Sequence, residues 1–480
     1  MIGMKVLSIL ISTAMLTGCG AAAGAGGGTE AQASVVQPEE VAASALSDIA
    51  NTDDMFSSRD LDPGYDESQA ISIQLTGGTA VCDSDAVTVD GGTVTVTAAG
   101  TYVLSGTLTD GQIVVRAGEA DKVQLVLNGV DITCSDSAAI YALEADKVFL
   151  TLADGTENSL TNGGTYAAID ENNIDAVIFA KTDLTLNGTG SLTVSAAAGH
   201  GIVCKDDLVI AGGTCTIDAA SHGIEGKDSV RIAGGTLVIT AGKDGIHAEN
   251  DDDAEAGWLY ILDGSLTIHA GDDAIHSGSD VVIRGGSFDI PSCCEGVEGR
   301  SVTIDGGTLN IVSSDDGINA AGSTDSSDFT AGGGDFAYSA ACSVVVSGGS
   351  ITIMSQGDCI DANGDITVNG GTLELTCGGN GNTALDCNGA YTNNGGTVTT
   401  NDGSESGMGM GGPMGGQMGG MAPGGGQVGG MAPGGGQMGG TPPGGGQVGG
   451  MAPGGGQMGG TPPGGGRPDM RSTDSSAAAA

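Results

Sequence analysis

Positive charge is scarce in this sequence. The chain has 14 Lys and Arg residues against 59 Asp and Glu residues, so its formal net charge is −45 over 480 residues. Such a chain repels phosphate backbones and anionic lipid headgroups, and we expect neither nucleic acid nor a bare membrane surface as a direct partner. Cations are the partners that this charge favours.

Aromatic residues are also few: one Trp, seven Tyr and six Phe. A core of aromatic rings is therefore not expected, whereas Val, Ile, Leu, Ala and Thr are plentiful and favour strands. No Cys-x-x-Cys spacing indicates a zinc site. The ten cysteines after Cys19 allow disulfides, but several, such as Cys215, stand where neighbouring repeats have Val or Leu. We favour reduced thiols packed as small hydrophobic groups, and the pairing stays open.

The N-terminus has the pattern of an export signal. Lys5 precedes an apolar run that is too short to span a bilayer, and the run ends in Leu-Thr-Gly-Cys at Cys19. These four residues resemble the bacterial lipobox, whose Cys is acylated and becomes the mature N-terminus. We therefore predict a lipoprotein signal peptide at 1–19 and an extracytoplasmic protein that is lipid-anchored to the bacterial cell membrane rather than spanning it. A soluble secretory peptide with a chance Cys is the alternative.

Two further segments lack the pattern of a folded domain. Residues 20–70 are rich in Ala, Gly, Ser, Gln and acidic residues, which predicts a flexible tether. Residues 404–480 consist largely of Gly, Met, Gln and Pro repeats with almost no branched apolar residues. Because such a segment cannot bury a core, it is predicted to be a disordered tail.

The central part, residues 71–403, is a repeat array. A Gly-Ile pair or its equivalent recurs at intervals of mostly 21 or 22 residues, with two insertions. Each unit then has an apolar strand, a Gly-Gly-Thr or Gly-Gly-Ser turn and a second strand, as in "VRIAGGTLVI". This short period without helical spacing predicts an all-β fold, a parallel β-helix with about 22 residues per coil. The competing fold, a β-sandwich, would not need a constant spacing.

Alternation within the strands predicts which side chains form the core. The Gly-Gly pairs supply positive φ at a tight corner. Val209, Thr214 and Thr216 are expected to point outward. The side chains expected to point inward are Leu208, Ile210, Cys215, Ile217, Leu237, Leu266, Phe288, Leu309, Ile351 and Leu373.

Acidic residues recur just before the Gly-Ile position and again three residues later. In a coiled stack these positions lie about 4.8 Å apart in successive coils, and bare carboxylates at that distance repel by roughly 1–4 kcal/mol per pair. A calcium ion, which accepts six to eight oxygen ligands, would relieve the repulsion. The predicted ligands are Asp244, Asp272, Asp273, His276, Glu295, Glu298, Asp315, Asp316, Asn319, Asp358 and Asp361.

The alternative is an acidic turn column without an ion, since Asp is common in turns. His247 occupies the same position as His276, and both imidazoles are also consistent with simple hydrogen bonding. His200 and His222 have the pattern of ordinary turn residues. Zinc is disfavoured, because the imidazoles are few and the carboxylates many.

The segments "KDGIHAE", "GDDAIHS", "CEGVEGR" and "SDDGINA", with the Gly-Gly-Thr strands, resemble a family of cell-surface carbohydrate-binding proteins from clostridial plant-fibre degraders. The resemblance covers roughly residues 80–400. It implies a right-handed parallel β-helix with bound calcium and affinity for cellulose and polygalacturonate. The chain is also similar to calcium-dependent pectate lyases, in which an Asp-Asp pair and a ligand three residues later hold the ion. Here the third place is His276 or Asn319 rather than Asp.

These features predict calcium-dependent binding of plant cell-wall polysaccharide by a monomeric surface protein. Calcium held by protein carboxylates can bridge to uronate oxygens, whereas cellulose needs an aromatic platform, for which Trp258 and Tyr260 are the candidates. A pectate lyase remains open as an alternative, with Lys243 as the base that removes the proton beside the uronate carboxyl; Lys227, Arg284 and Arg300 are weaker candidates. A structural or adhesive protein that uses calcium only as a staple is the third interpretation.

Overall fold

The computed structural model describes residues 55–167, 170–253, 255–321 and 338–406. The predicted signal peptide with Cys19, the tether up to residue 54 and the predicted tail from residue 407 lie outside the described residues. Among the residues that are described, no helix is long and apolar enough to cross a membrane.

The described chain is all-β apart from one helix, α1 (Ser58–Leu61), and one 3-10 turn (Ser404–Ser406). The described strands are β1 (Ile71–Gly77), β2 (Ala80–Val81), β3 (Val87–Asp90), β4 (Thr93–Val96), β5 (Gly100–Leu108), β6 (Gln112–Arg116), β7 (Lys122–Cys134), β8 (Ile140–Glu144), β9 (Lys147–Leu152), β10 (Glu157–Asn162), β11 (Ala176–Ala180), β12 (Asp183–Gly188), β13 (Ser191–Ala196), β14 (His200–Cys204), β15 (Asp207–Ile210), β16 (Thr214–Ala219), β17 (Ile224–Gly226), β18 (Ser229–Ile232), β19 (Thr236–Ala241), β20 (Ile246–Ala248), β21 (Trp258–Ile261), β22 (Ser265–Ala270), β23 (Ile275–Ser277), β24 (Asp280–Ile283), β25 (Ser287–Cys293), β26 (Val297–Glu298), β27 (Ser301–Ile304), β28 (Thr308–Ser313), β29 (Ile318–Ala320), β30 (Val344–Val346), β31 (Ser350–Ser355), β32 (Ile360–Ala362), β33 (Ile366–Val368), β34 (Thr372–Thr376), β35 (Leu385–Cys387), β36 (Tyr391–Asn393) and β37 (Thr397–Thr400).

These strands form a parallel β-helix with three faces, which confirms the predicted fold. The first face is the ladder from β9 through β12 and β15 to β36, and the second runs from β10 through β13 and β16 to β37. The long strand β7 pairs with both β9 and β10 and so joins the two faces into one sheet. The third face is a separate sheet that ends with β14, β17, β20, β23, β26, β29, β32 and β35. Within the described residues, only β1–β2 and β3–β4 pair antiparallel.

The core consists of columns of inward-pointing side chains at equivalent positions of successive coils, as the alternation predicted. In the second face Cys215 pairs with Leu237, which pairs with Leu266, and all three side chains are buried. In the Gly-Gly pairs of the described residues between 212 and 371 the second Gly has the expected positive φ, for example +86° at Gly213 and +108° at Gly235. A Cβ atom is strained in this left-handed region, so the turn requires glycine. The ten cysteines after Cys19 are all free thiols, and Cys215 occupies an inward position next to Leu237.

The segment 55–70 differs from the predicted flexible tether, because it packs against the first face. Asp60 of α1 is 2% exposed, and its carboxylate contacts Lys147 Nζ at 2.8 Å and accepts a hydrogen bond from Thr185 Oγ1 at 2.6 Å. Phe56 covers Val209, which points outward from its strand as predicted but is fully buried. The composition of this segment did not indicate the contact, because its partners lie far along the chain.

Candidate functional site

The corner between the second and third faces stacks one residue from each coil. Backbone hydrogen bonds set the register: Gly223 N donates to Asp244 O and Gly245 N donates to Asp273 O, both at 2.9 Å. We call this set the corner column. It consists of His200, His222, Asp244, Asp273, Glu295, Asp316, Asp358 and Thr383.

The corner carboxylates have a structural task. Asp244 Oδ1 accepts a hydrogen bond from the backbone N–H of Asp273 at 3.1 Å, and Asp273 Oδ1 accepts one from Glu295 N at 3.0 Å. Asp316 Oδ1 accepts in the same way from Asp358 N at 2.7 Å. One oxygen of each side chain therefore tethers the next coil, and this explains part of the recurring acidic pattern without an ion. The second oxygen remains for other partners.

A second column runs beside the first, three residues later in each coil. Its side chains stand in register along the third face, where Glu225 pairs with His247 and His276 pairs with Glu298. We call it the strand column. Its members are Glu225, His247, His276, Glu298, Asn319, Asp361 and Asp386.

At the end of these columns nearer the N-terminus, the carboxylates alternate with imidazoles. Four rings stack across both columns, with centroids 5.0 Å apart for His200 and His222, 4.4 Å for His222 and His247, and 4.9 Å for His247 and His276. Asp244 Oδ2 lies 3.1 Å from His222 Nδ1 and 2.7 Å from His247 Nδ1. Burial opposes ionisation of Asp244, but the hydrogen bonds to His222 and His247 outweigh it and hold the pKa of this carboxyl far below its usual range. We call this group the imidazole end.

The two outer rings of the stack differ in charge. Burial lowers the pKa of His200 to about 4, so this imidazole is neutral at pH 7. Burial also disfavours the charged form of His276, but Asp273 and Glu298 contact its Nδ1 at 3.3 and 2.7 Å and raise the pKa of the ring to about 11. His276 is therefore a counter-ion for its two carboxylate neighbours.

At the other end the coils contribute carboxylates but no basic side chain. Oxygens of Asp358, Asp361 and Asp386 lie within 4.8 Å of each other. Burial, followed by repulsion from neighbouring carboxylates, raises the pKa of Asp361 to about 7, and burial is the main reason that the pKa of Asp316 also rises to about 7. The sequence has no Lys, Arg or His between residues 301 and 466. We call this group the carboxylate end.

Asn319 lies between the two ends and carries an unpartnered oxygen. Its side chain is 6% exposed, and Nδ2 donates to Glu295 Oε2 at 3.0 Å. Oδ1 is buried and accepts no hydrogen bond in the described residues. Burial, with repulsion from Glu298 and Asp273, raises the pKa of the adjacent Glu295 to about 10. Carboxylate and amide oxygens in this density are the ligand type that calcium takes.

The structure thus brings most of the predicted ligands into two adjacent columns, with different roles. Asp272 and Asp315, the first members of the Asp pairs, are exposed, and an oxygen of Asp272 lies within 4.8 Å of Asp273 and Cys294 ligand atoms. The prediction missed Asp386, whose unit lacks the Gly-Ile pattern, although it follows Asp361 in register. It also interpreted His200 and His222 as isolated turn residues, although their 22-residue spacing places them in the corner column.

The predicted aromatic platform is wrong for Tyr260. This ring is 2% exposed and packs edge-on against Phe56, with centroids 6.0 Å apart. Trp258 is half-buried, lies 5.7 Å from the Arg231 guanidinium and borders a cavity of about 210 Å³ on the first face. Because Phe56 covers Tyr260, the two rings do not form one open surface for a sugar.

The structure also distinguishes among the four basic residues that were considered as the base of a lyase. Lys227 pairs with Asp252 at 2.7 Å, Arg300 pairs with Asp280 at 2.9 Å, and Arg284 pairs with Asp305. Lys243 is exposed and borders a cavity of about 230 Å³ in front of the imidazole end. Lys243 is therefore the candidate that lies beside both the carboxylates and an open space.

Comparison with known proteins gives a family. The family model described as carbohydrate-binding domain-containing protein matches residues 90–342. A carbohydrate-binding domain-containing protein of Acetivibrio thermocellus is 42% identical over 135 residues, which are 28% of this chain and 47% of that protein. The chain therefore spans about half the length of this curated relative.

A solved structure, described as the polysaccharide lyase-like protein from C. thermocellum in a gadolinium derivative, is 40% identical with a TM-score of 0.45. The match covers 46% of this chain and 90% of that one. Because the family model spans more than half of the 480 residues, the chain belongs to the family of carbohydrate-binding domain-containing proteins.

Proposed function

We propose that this protein binds acidic plant cell-wall polysaccharide, with polygalacturonate as the first candidate, through calcium at the carboxylate end of the third face. Family membership supports a carbohydrate ligand in general. One observation carries the finer proposal: Asp358, Asp361 and Asp386 hold their oxygens within 4.8 Å of each other in a part of the chain without any basic residue.

Electrostatics explains why calcium is needed. A protein with a formal charge of −45 repels a polyuronate chain unless a cation lies between them. Calcium takes six to eight oxygens in flexible geometry, so carboxylates and the Asn319 carbonyl oxygen can fill part of its coordination shell. The remaining positions are then available to uronate carboxylates, and the bound ion reverses the local sign of the surface.

The N-terminal sequence supports a location at the cell surface for this binding activity. A lipid on Cys19 would hold the protein at the outer side of the membrane, and the segment up to residue 54 would separate the β-helix from the bilayer. A single β-helix then presents its third face to polysaccharide outside the cell, and we expect it to act as a monomer.

The test is calorimetric titration of residues 20–480 with polygalacturonate, in calcium and again in EDTA. We expect binding in calcium and a loss of more than about 100-fold in affinity in EDTA, since the ion supplies the contact. Asp361→Asn, which removes one charge and keeps the shape, should weaken calcium binding by about tenfold or more, whereas Asp289→Asn on the second face should not. Equal binding in EDTA would contradict the proposal. Titration with soluble cello-oligosaccharides gives the neutral-glycan comparison.

A lyase is the second candidate, and one observation favours it. Lys243 is exposed at the edge of a cavity that Asp272 and Asp273 also border. A calcium-bound uronate there would have its acidified proton near Lys243, which would have to act as the base in its neutral form. Incubation with polygalacturonate in calcium distinguishes the two functions: a lyase releases unsaturated uronate that absorbs in the ultraviolet, and Lys243→Ala abolishes the release. A binding protein gives no such product.

The third interpretation, calcium as a purely structural staple, makes a different forecast for the same samples. Calcium would raise the melting temperature, but neither glycan would produce heat on titration.

A further inference from the structure

Four of the five histidines in the sequence lie in one stack. The fifth, His269, is on the second face, where its Nδ1 lies 3.2 Å from Ser292 Oγ. The β-helix does not require imidazoles at these positions, because neighbouring coils place carboxylates or an amide there. The stack therefore has a chemical character that the rest of the two columns lacks.

Three ligand atoms converge within this stack. Nδ1 of His222 and Nδ1 of His247 lie 3.1 and 2.7 Å from the same oxygen, Asp244 Oδ2. Each of the three residues has a ligand atom within 4.8 Å of one on each of the others. Ligands of a tetrahedral zinc ion, with bonds of about 2.0–2.1 Å, are separated by about 3.3 Å. The two nitrogen–oxygen distances are shorter than this spacing by about 0.2 and 0.6 Å, a difference that side-chain torsions can absorb.

The surroundings of these atoms resemble those of imidazole ligands in metal sites. The other ring nitrogen of His247, Nε2, lies 3.4 Å from Glu249 Oε2. A carboxylate at that position orients a ligating imidazole and raises its basicity. In the preceding coil His200 Nδ1 is buried without a hydrogen-bond partner in the described residues, 3.3 Å from Glu225 Oε2, so a further nitrogen donor lies beside His222, on which the His200 ring stacks.

The space in front of the stack allows another ligand. His222, Asp244 and His247 border the same cavity of about 230 Å³, which reaches the exposed Lys243. This volume exceeds the roughly 30 Å³ that one water molecule occupies in the liquid. An ion at the three atoms would therefore keep one coordination position open to solvent or to an oxygen of a bound molecule.

We propose that Nδ1 of His222, Nδ1 of His247 and Oδ2 of Asp244 bind one divalent transition-metal ion of the zinc class. Imidazole nitrogen is a preferred donor for such ions, whereas calcium takes oxygen. The site is therefore different in chemistry and position from the calcium site of the carboxylate end, and neither depends on the other. It ties two successive coils together and presents an open coordination position.

The test uses Co²⁺ as a spectroscopic probe on residues 20–480 after removal of metals with EDTA and dialysis. We expect binding of about one equivalent in excess calcium, with the intense visible bands of four-coordinate Co²⁺ and displacement by Zn²⁺. His247→Gln should lower the affinity by at least about tenfold, and His269→Gln should leave it unchanged. We choose His247 for the variant because His222 Nδ1 also accepts a hydrogen bond from the backbone N–H of Asp244 at 3.3 Å. Replacing His222 would therefore remove a structural hydrogen bond as well as a ligand.

The two metal proposals are separated by one further variant. Asp361→Asn should weaken calcium binding and leave the cobalt spectrum unchanged. Displacement of Co²⁺ by equal concentrations of Ca²⁺, or equal losses in His247→Gln and His269→Gln, would overturn the proposal. Failure to observe visible bands would also overturn it, and the stack would then be a hydrogen-bonded network that needs no ion.

Discussion

In the coils before Arg300, every buried carboxylate of the described residues except Glu295 lies against an ammonium or imidazole group, whereas the half-buried carboxylates of the two columns after Arg300 lie mainly against one another. Asp60 contacts Lys147 at 2.8 Å and Asp244 contacts two imidazoles, while Asp361 is surrounded by other acids. The two regions share one fold and one register. They differ only in the side chains that occupy equivalent positions.

This difference shows that the repeat fixes where a side chain lies but not which type of side chain occupies that position. Hydrogen bonds from carboxylate oxygens to the backbone of the next coil occur in both regions, at Asp244 and at Asp316. What changes is whether the protein supplies the positive charge itself. In the first region the protein supplies a positive partner for each buried carboxylate except Glu295. The second region has no basic side chain, so its stability should depend on the cations in the medium.

The largest destabilisation is expected from removing one partner of the buried ion pair between Asp60 and Lys147. Asp60→Ala removes the nearest carboxylate from Lys147, and Asp183 Oδ2 at 3.9 Å remains as a weaker partner. Loss of one partner of a buried pair costs about 3–5 kcal/mol, so we expect a destabilisation of about 3 kcal/mol in urea unfolding. Glu67→Ala, at an exposed position nearby, is the control and should change little. A cost below about 1 kcal/mol would mean that the pair is no better than a surface ion pair.

The same pair predicts a pH dependence. Burial raises the pKa of Asp60, but hydrogen bonds from Lys147 and Thr185 outweigh it and place the folded-state pKa below the ordinary 3.8. The stabilisation is therefore fully present above the unfolded-state pKa and is lost as pH falls through the folded-state pKa. In urea unfolding from pH 6 to pH 3, the difference in stability between the natural chain and Asp60→Ala should shrink as the pH falls. The difference isolates Asp60 from carboxyls such as Asp361, whose raised pKa gives the opposite slope.

The next largest effect is expected at the imidazole end. Asp244→Ala leaves His222, His247 and the backbone N–H of Asp273 without their shared acceptor. Loss of a charge-assisted acceptor in a buried site costs about 2–3 kcal/mol. Urea unfolding in EDTA measures it, with Asp218→Ala, exposed on the second face, as the control. Equal effects of the two variants would show that the contacts at Asp244 contribute nothing to folding.

Most of the fold could be predicted because the repeat is local. Alternation assigned Cys215 and Leu237 to the core, and the Gly-Gly spacing located a turn in each coil. The carboxylate members of the corner column, though not His200, His222 or Thr383, followed from the constant period. Interactions between positions far apart in sequence could not be predicted in this way: nothing in the composition of the 55–70 segment indicates that Asp60 meets Thr185.

The candidate site was predicted in part. The period placed Asp316 and Asp358 above one another, but the closeness of the corner and strand columns depends on the bend between two faces, which no sequence period encodes. The contact between the rings of His222 and His247, 4.4 Å apart, was therefore not predicted. Tyr260 packs against Phe56 of a segment that was predicted to be a tether, so its burial was not predicted either.

A smaller effect, with a change of sign, is expected at the carboxylate end. Asp361→Asn removes one of the mutually repelling charges near Asp358 and Asp386. In EDTA we expect it to stabilise the protein by about 1 kcal/mol, the lower end of the roughly 1–4 kcal/mol expected for a pair of carboxylates at this spacing. In calcium the variant should be less stable than the natural chain, because it has lost a ligand. Thermal unfolding in both media measures the reversal, and Asp289→Asn should shift neither curve. The same sign in both media would show that no cation binds there.

The smallest effect is expected from Trp258→Ala. Trp258 is on the first face, packed near Arg231, whereas both candidate metal sites are on the corner and the third face. If glycan binding depends on the carboxylate end, this variant should change the affinity for polygalacturonate by less than about twofold, although loss of ring packing lowers the melting temperature. Calorimetric titration below that temperature measures the affinity alone. A tenfold loss would place the binding surface on the first face, among the coils whose charges are already paired, and the contrast between the two regions would then concern stability and not recognition.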